Sequence, residues 1–295
     1  MNTSKPIIIF FTLILLAGCS GDENKIGGSG LIETTEAIVS AESSGRAMTI
    51  NFDEGASVAV GDTLLIIDPS RLELELASVA AARKVAVANL ATVRLQVKNA
   101  ERAREYTLSE RDRLQGLLES GTGTQQQYDK AAFESDNADL VYQTAWANVA
   151  TLQAEIEKID ADIARLERQL ADCYPSAPLG GTVTEKYIDP GELLSPGKPI
   201  AKIARLDTVW VKVYLSAGDF ANIKTGQKAV IDTETGGRRY DGYISWTSDE
   251  AEFTPKNVQT EESRANLVYA VKVIIPNTDN YLKIGMPVYV TLEER

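Results

Sequence analysis

Residues from about 70 to 172 repeat their apolar positions with the period of a helix. From Leu72, alternate steps of four and three residues reach fourteen positions, of which ten are apolar. Apolar heptads that continue over more than three repeats predict a coiled coil rather than a globular helix. The positions are Leu72, Leu76, Val79, Arg83, Ala86, Leu90, Val93, Val97, Ala100, Arg104, Thr107, Arg111, Leu114 and Leu118.

A second heptad pattern follows Gly121-Thr122-Gly123. Its positions are Tyr128, Ala131, Ser135, Ala138, Tyr142, Ala145, Val149, Leu152, Ile156, Ile159, Ile163, Leu166 and Leu170. Each arm has about 47 residues and, at a rise of 1.5 Å per residue, extends roughly 70 Å. Equal arms around two glycines predict an antiparallel helical hairpin.

Two segments that flank the helical region are repeats of each other. Residues 44–68 and 180–204 align without a gap, and both contain short alternating strands with glycines at fixed offsets. The glycines are expected in tight turns that need a positive φ. The matched pairs are Gly45/Gly181, Asp53/Asp189, Gly55/Gly191, Val58/Leu194, Gly61/Gly197, Leu64/Ile200 and Ile67/Ile203.

The pattern DEG…VGD and DPG…SPG resembles the two halves of a biotinyl/lipoyl domain, a small flattened β-barrel. In carrier domains a short turn between the halves presents a modified lysine. Here an insertion of about a hundred residues begins at Asp68-Pro69-Ser70 and no such lysine turn is present, which disfavours a swinging-arm carrier. An antiparallel hairpin would return the chain beside its starting point, so that the two halves can form one barrel.

The C-terminal third has the alternation of β-strands. Val209, Val211, Val213 and Leu215 alternate, and Ala217–Ile223 is expected to be a short helix. With an early strand near Ile32–Val39, the pattern predicts a second small β-barrel. Residues 250–265 are polar and are expected to form a loop. The further strands are expected at Gly242–Thr247, Leu267–Ile275 and Val288–Leu292.

The N-terminus has the pattern of an export signal. Lys5 precedes an apolar run of about a dozen residues, which is too short to span a bilayer but suits a signal peptide. The run ends Leu16-Ala17-Gly18-Cys19, which resembles a bacterial lipobox and predicts acylation of Cys19. The alternative is an ordinary secretory signal that happens to contain a cysteine. Ser20 leaves open which membrane holds the lipid.

Composition narrows the function. The chain has no histidine, the commonest general base and metal ligand. Its Asp and Glu residues show no pair at a recognisable catalytic spacing. The formal net charge of −12 disfavours nucleic-acid binding. Besides Cys19 the chain has only Cys173, so no intramolecular disulfide is expected once Cys19 is acylated. We therefore expect no cofactor, no metal site and no enzymatic activity.

These features together resemble the HlyD-type membrane fusion proteins, the periplasmic adaptors of tripartite exporters. The resemblance rests on the split lipoyl halves, the hairpin, and the stretches at 177–200 and 206–215. Residues 250–273 and 282–290 are most similar to the subgroup that works with ABC transporters.

The resemblance implies transport without catalysis. Several copies, usually six, would form a sealed conduit between an inner-membrane ABC-type pump and a TolC-type outer-membrane channel. The protein would be periplasmic and held by the acyl chains on Cys19, with the inner membrane as the expected site. The fold class would be α+β, an elongated adaptor with a split lipoyl (barrel-sandwich hybrid) domain, a coiled-coil hairpin and a small β-barrel.

The family's hairpin tip carries an arginine, a leucine four residues later and a serine seven beyond that. Arg113, Leu117 and Thr124 occupy these positions, and Thr124 departs from serine but keeps the hydroxyl. The resemblance implies that they contact the outer-membrane channel. The alternative is that Arg113 is a solvated charge and that Leu117 and Leu118 only close the coiled coil.

The expected organisation has six parts. They are a signal peptide at 1–18, a lipidated linker at 19–30, the first barrel strand with the first lipoyl half at 31–69, the hairpin at 70–172, the second lipoyl half at 173–204, and the β-barrel domain at 205–295.

Two other functions stay open. One is an adaptor for a proton-driven RND pump, although such adaptors usually continue into a further membrane-proximal domain and this sequence ends at Arg295. The other is a periplasmic coiled-coil scaffold or chaperone lipoprotein, which predicts neither ring formation nor dependence on a channel.

Overall fold

The structure is a computed structural model that describes residues 26–234, 236–253 and 267–292. The predicted signal peptide, Cys19 and Ser20 lie outside the described residues. The helices are α1 (Ser70–Glu119), α2 (Gln125–Ala171) and α3 (Ala217–Phe220). The strands are β1 (Gly27–Glu33), β2 (Glu36–Ser40), β3 (Gly45–Ile50), β4 (Ser57–Val58), β5 (Leu65–Ile67), β6 (Gly181–Lys186), β7 (Leu193–Leu194), β8 (Pro199–Ala204), β9 (Thr208–Ser216), β10 (Lys228–Thr233), β11 (Arg239–Thr247), β12 (Glu252–Phe253), β13 (Leu267–Pro276) and β14 (Pro287–Leu292).

Helices α1 and α2 form the predicted antiparallel hairpin, which confirms the long helical insertion. Every heptad position predicted for the seam is at least half-buried except Arg83. Leu90, Val97 and Ala100 of α1 pack with Ala145 and Val149 of α2 as one apolar cluster. The heptad period therefore identified the contact face of both helices.

The polar seam positions of α1 have partners on α2. The guanidinium of Arg83 donates to both carboxylate oxygens of Asp160, at 2.5 and 3.2 Å. Arg104 donates to Asp139 at 2.5 Å and also lies over the ring of Tyr142, 5.2 Å from its centroid. In both ion pairs the two residue numbers add to 243, so one register holds along the hairpin and its midpoint falls between residues 121 and 122.

The two lipoyl halves exchange their strands. β3 pairs with β7 through Gly45 and Leu194, and β6 pairs with β4 through Gly181 and Val58. These pairs are equivalent under the sequence repeat. The relation extends to the turns, because the amide of Gly55 donates to Val183 just as the amide of Gly191 donates to Ala47, both at 2.8 Å. The paired halves thus form one barrel-sandwich domain with approximate twofold symmetry.

The turn glycines of the repeat have the expected backbone. Gly55, Gly61, Gly191 and Gly197 all have φ between +83° and +87°. The positive φ that the repeat predicted for these turns is confirmed.

The feet of the hairpin are fixed to this domain. The amide of Ile67, just before α1, donates to the carbonyl of Cys173, just after α2, at 2.9 Å. At the same junction Arg168 of α2 pairs with Glu42 of the lipoyl domain at 3.1 Å. Cys173 itself is buried. The insertion therefore leaves and re-enters the domain at neighbouring points.

The remaining strands close a six-stranded barrel in the order β11-β10-β14-β1-β9-β13, which the β11–β13 pairing completes. Its interior is filled by alternating aliphatic side chains such as Val211, Ile231, Val273 and Val290. β12 pairs only with β13 and lies outside the closed ring.

The single strand expected near Ile32–Val39 is in fact two strands. β1 belongs to the β-barrel, whereas β2 pairs with β8 in the lipoyl domain. β1 also starts at Gly27, inside the segment that was expected to be a linker. The sequence did not predict this strand because glycines interrupt its alternation of apolar and polar side chains. A Cβ on Gly30 would lie 2.6 Å from the carbonyl oxygen of Lys212, so this close approach requires glycine.

Three smaller expectations also change in the barrel domain. The short helix ends at Phe220 rather than at Ile223. β10 had not been predicted at all. β12 occupies part of the segment expected to be a loop at 250–265, and the rest of that segment lies outside the described residues.

One described helix, α1, is long and apolar enough in one stretch to cross a bilayer by length and composition. This apolar character has two sources. One face forms the seam with α2, and a second face exposes large side chains, including Leu74, Val85 and Leu95. The second face has no partner within the described residues.

Candidate functional site

The far end of the hairpin begins where α1 stops at Glu119. The amide of Thr122 donates to the carbonyl of Leu117 at 2.9 Å, and the amide of Gly121 donates to Leu118 at 3.0 Å. With Gly121 at φ +76°, this is a Schellman ending, which satisfies the last carbonyls of the helix.

Gly123 brings the returning chain close to the end of α1. A Cβ at this position would lie 3.0 Å from the amide nitrogen and 3.1 Å from the carbonyl carbon of the Leu118–Leu117 peptide. Its amide donates to the carbonyl of Leu117 at 2.9 Å. Gly121 therefore supplies the backbone conformation of the reversal, and Gly123 supplies the close approach.

Thr124 is the N-cap of α2. Its hydroxyl oxygen accepts from the amide of Gln127 at 3.3 Å, while the amide of Thr124 donates to the side-chain oxygen of Gln127 at 3.0 Å. This is a capping box, and it pairs amides that the first turn of the helix would leave without partners. The hydroxyl of Thr124 thus has a structural use on the exposed tip.

Arg113 and Leu117 lie one helical turn apart on α1. The side chain of Arg113 is 62% exposed, and its guanidinium donates to both carboxylate oxygens of Glu110. This hydrogen bond from Arg113 lowers the pKa of Glu110 below the usual 4.5 and raises the pKa of Arg113. Leu117 is 37% exposed, whereas Leu118 is half-buried at the seam.

The turn packs Gly123 against Leu117, so that Thr124 follows at the start of α2 and Arg113 lies one turn further down α1. No hydrogen bond joins Arg113 to Thr124. The sequence interpretation overlooked Glu110 as the partner of Arg113. It also overlooked Gln127, although the spacing Thr-x-x-Gln before an apolar heptad is itself the signature of a capping box.

Within residues 26–234, 236–253 and 267–292, no group of three or more Cys, Asp or Glu side chains converges on a point where a metal ion could bind. A groove of about 830 Å³ at the foot of the hairpin is open to solvent. Its lining mixes acidic residues such as Glu75 and Asp172 with basic residues such as Arg71 and Arg165.

Comparison with known proteins identifies this architecture. The family model for the barrel-sandwich hybrid domain of RND membrane fusion proteins matches residues 35–205, which include both lipoyl halves and the whole hairpin. The chain belongs to the membrane fusion protein family.

Relatives with similar sequences extend over most of the chain. A UPF0194 membrane protein of Citrobacter koseri is 26% identical, and the alignment covers 98% of each protein. A UPF0194 membrane protein of Yersinia pseudotuberculosis is 29% identical over 85% of this chain and 84% of its own length.

Two solved structures share the fold. MacA from Actinobacillus actinomycetemcomitans superimposes with a TM-score of 0.61 at 22% identity, over 92% of this chain and 79% of that one. The membrane fusion protein Spr0693 from Streptococcus pneumoniae gives a TM-score of 0.50 at 18% identity, over 92% of this chain and 99% of that one. At these identities the likeness concerns the fold alone.

Proposed function

We propose that this membrane fusion protein is a periplasmic adaptor that joins an inner-membrane export pump to a TolC-type outer-membrane channel. The observation that carries the proposal is the hairpin. Its first helix alone has 50 residues and extends about 75 Å from a domain fixed at its feet. A stiff arm of this length suits the bridging of two partners and offers no chemistry of its own, so the adaptor acts without catalysis.

The adaptor works as a ring of copies, with six as the expected number. The exposed apolar face of α1 supports self-association, and α2 exposes Phe133, Leu140 and Trp146 in the same way. Large apolar side chains exposed along one face of a helix favour an interaction site. Neighbouring hairpins would pack through these faces into a closed tube.

The sequence stretches at 250–273 and 282–290 favour an ABC transporter as the pump. The second candidate is an RND pump, and the description of the matching family model favours it. Copurification of the adaptor from its own cells, with the captured pump identified by mass spectrometry, distinguishes the two. An ATP-binding subunit supports the ABC pump, and a proton-driven antiporter supports the RND pump.

The anchor is an acyl group on Cys19, which holds the adaptor on the periplasmic side of the inner membrane. The lipobox pattern carries this part of the proposal. Intact-mass measurement of the mature protein tests it, because acylation adds the mass of three chains to a polypeptide that starts at Cys19. An unmodified N-terminus would contradict it.

The channel contact lies at the hairpin tip, where Arg113 and Leu117 are exposed and Thr124 starts the returning helix. An arginine suits this role because its planar guanidinium can donate to carboxylates or carbonyls of the channel. The pairing with Glu110 holds the guanidinium in one orientation before docking.

Charge reversal tests this contact. We expect Arg113→Asp to reduce export strongly while the thermal unfolding temperature stays nearly unchanged, because the side chain is exposed and an exposed ion pair such as that with Glu110 contributes little to stability. Arg94→Asp is the matched control, since Arg94 is also exposed on α1 but lies 19 residues from the tip position. Normal export by Arg113→Asp at native expression would refute the contact.

A further inference from the structure

The first helix of the hairpin has a row of apolar residues on the side that faces away from α2. The row consists of Leu74, Ala81, Ala88 and Leu95, and each member follows a seam position by two residues. Because two residues turn an α-helix by about 200°, this row lies opposite the seam. Leu74 is 73% exposed and Leu95 is 64% exposed. We call these four residues the α1 back row.

The second helix has a corresponding row at the same spacing of seven residues. It consists of Phe133, Leu140, Ala147 and Ala154, each again two residues after a seam position. All four side chains are exposed in the hairpin. We call them the α2 back row. The two rows therefore lie on opposite edges of the hairpin, and each is open to a further helix.

The middle parts of the two helices carry opposite charges. Between Leu76 and Ala100, α1 has four basic residues and no acidic residue. Between Glu134 and Asp162, α2 has seven acidic residues and one basic residue. Contact of α1 with the α1 of a second copy would bring like charges together, whereas contact of α1 with its α2 brings opposite charges together. The charges therefore favour a second copy of this chain as the occupant, with unlike edges in contact.

A ring of copies fixes the relative height of neighbouring hairpins. Rotation about the ring axis moves a residue around the axis without a change in height. Within one hairpin, residues at the same height have numbers that add to 243, as in the pairs Arg83–Asp160 and Arg104–Asp139. For arms that run along the axis, a residue of α1 thus faces the α2 residue of the next copy that completes the same sum.

The two back rows fit each other in this level register. Leu95 would face Ala147 of the next copy, and Ala88 would face Ala154, both within one residue of the sum of 243. A large side chain opposite a small one, and a small one opposite a small one, allow neighbouring helices to interdigitate closely. The apolar rows therefore match in size as well as in position.

The residues on one flank of the back rows also match in kind. Thr92 would face Thr151 of the next copy, and Asn99 would face Thr144, and each pair adds to 243. Hydroxyl groups and side-chain amides both donate and accept hydrogen bonds. A polar ladder would therefore run beside the apolar rows.

The other flank carries charges. Lys84 differs from Glu157 of the next copy by about 3 Å in height, so the ammonium and carboxylate groups can pair between copies. Nearer the tip, Glu105 would face Asp136 of the next copy. Arg102, one turn below Glu105 on the same helix, supplies a compensating charge there.

From these observations we propose that the α1 back row of one copy packs against the α2 back row of the next copy in the level register. The proposal rests on the ring of copies in the proposed function and specifies the contact that builds it. Because the two surfaces differ, the contact is heterologous, and its repetition closes a ring rather than ending at a dimer. A second seam then joins the copies, with the same sum of residue numbers as the seam within each hairpin.

Cross-linking of paired cysteines tests the register. Thr92→Cys and Thr151→Cys are placed together in the full-length chain, which is produced in its own cells and treated with a short bismaleimide in the membrane fraction. The two positions lie on opposite edges of one hairpin, so the reagent can join them only between copies. We expect a ladder of cross-linked multimers on a denaturing gel. The unsubstituted chain, whose Cys173 is buried, gives the background.

The matched control moves one cysteine along α2. In the chain with Thr92→Cys and Asn137→Cys, the second position is displaced by fourteen residues, or about 21 Å, and multimers should fall at least about tenfold. Thr92→Cys alone should give no multimers above background. Equal or stronger linkage in the displaced pair, absence of the ladder from the matched pair, or dimers from Thr92→Cys alone would each overturn the proposal.

Charge reversal tests which helix Lys84 faces. We expect Lys84→Glu, added to the cross-linking chain, to lower the yield of multimers at least about threefold and Glu157→Lys to restore it. Restoration requires contact between copies, because the two residues are on opposite edges of one hairpin. Arg94→Glu is the matched control, since Arg94 is exposed but lies nearer to its own seam, and it should leave the yield unchanged. Failure of Glu157→Lys to restore the yield would contradict the pairing.

These measurements separate the register from the adaptor function. If the matched cysteines give no multimers while the chain still supports export, the level register is wrong and the adaptor function stands. If export does not depend on the protein at all, the proposed function fails, whatever the cross-links show.

Discussion

At the residue scale, the carbonyl of Leu117 is the point where the hairpin reverses. It accepts from the amides of Thr122 and Gly123, both at 2.9 Å, and from the hydroxyls of Ser120 and Thr122, at 2.9 and 3.2 Å. This concentration of donors fixes the backbone beside Leu117 while its side chain stays exposed. The tip is therefore rigid in its main chain, which favours its use as a docking surface.

Substitution of Thr124 separates its capping from its proposed contact. We expect Thr124→Ala to lower the free energy of unfolding by ~1 kcal/mol, because the N-cap hydroxyl is lost. Thr124→Ser and Thr124→Asp should both retain stability in thermal melts, since either side chain caps a helix well. If the hydroxyl also contacts the channel, export should survive in the serine variant and fall in the aspartate variant. Equal export by both would limit Thr124 to its capping role.

The ion pair at the tip should depend on pH. The pKa of Glu110 is lowered by the hydrogen bond from Arg113, so the pair stabilises the folded tip above pH 4.5 and is lost as the pH falls through the lowered value. Carboxyl NMR titration should give a pKa below 4.5 in the unsubstituted protein and one close to 4.5 in Arg113→Ala. An unchanged titration in that variant would show that Arg113 is not the cause.

At the element scale, the register of the hairpin is set by ion pairs as well as by apolar contacts. Arg83–Asp160 and Arg104–Asp139 lie 21 residues apart on each helix, which is three heptads. Both aspartates directly follow a seam position, Ile159 and Ala138. The observed register gives both seam arginines a carboxylate at the edge of the opposite helix. A displacement of α2 by one heptad in either direction would place Arg104 opposite Trp146 or Ala132 instead.

Exchange of these charges tests the register. Asp160→Arg should lower the melting temperature, because it places two cations together at a position where Arg83 now pairs. The double variant Arg83→Asp with Asp160→Arg should recover most of the loss, since the pair is restored in reverse. Circular dichroism melts at low ionic strength suit the measurement, because salt screens exposed pairs. Lack of recovery in the double variant would show that these residues do not pair.

The sequence predicted the helices better than the first strands, for physical reasons. The heptad period of α1 and α2 is recognisable in the sequence even though Arg83 and Arg104 occupy two of the seam positions. β1 carries Gly27, Gly28 and Gly30, which have no side chains to alternate. The three-dimensional packing of Gly30 against Val211 and Lys212, and of Gly27 against Val290, explains why glycine is needed at these two positions.

The hairpin tip was predictable in part. The spacing of Arg113, Leu117 and Thr124 was visible in the sequence, and the structure places all three at the exposed end of the hairpin. The sequence did not predict that Glu110 orients Arg113, because this contact depends on the conformations of two side chains three residues apart. A glutamate three residues before an arginine is common on solvent-exposed helices. Their role in channel contact stays a prediction.

At the scale of the whole molecule, the lipoyl domain does not need the hairpin to complete its sheets. Its two halves exchange strands directly, and the amide of Leu64 also donates to the carbonyl of Pro175 at 2.9 Å. The hairpin is joined to this domain by its feet alone. Folding of the two β-domains should thus be separable from that of the hairpin.

Removal of the hairpin tests this independence. Replacement of residues 70–172 by a short glycine-containing turn should leave a folded protein that has lost nearly all its helical circular dichroism, because only α3 remains among the described helices. Dispersed amide resonances in an NMR spectrum would confirm the folded β-domains, and export should be abolished. An unfolded product would show that the hairpin is needed to hold the halves together.

Because the register of the hairpin is constant, the number of heptads in its arms sets the distance that the protein can bridge. Because paired residue numbers add to 243, residues 98–104 are opposite residues 139–145. Deletion of both segments removes one heptad from each arm and also removes the ion pair Arg104–Asp139. The seam would rejoin in phase, and the arm would shorten by about 10 Å. The same deletion in one arm alone would place Arg83 seven residues away from Asp160. Matched insertions or deletions of one heptad in both arms can thus fit the length of the hairpin to a wider or narrower periplasm, while the tip and the feet keep their structure.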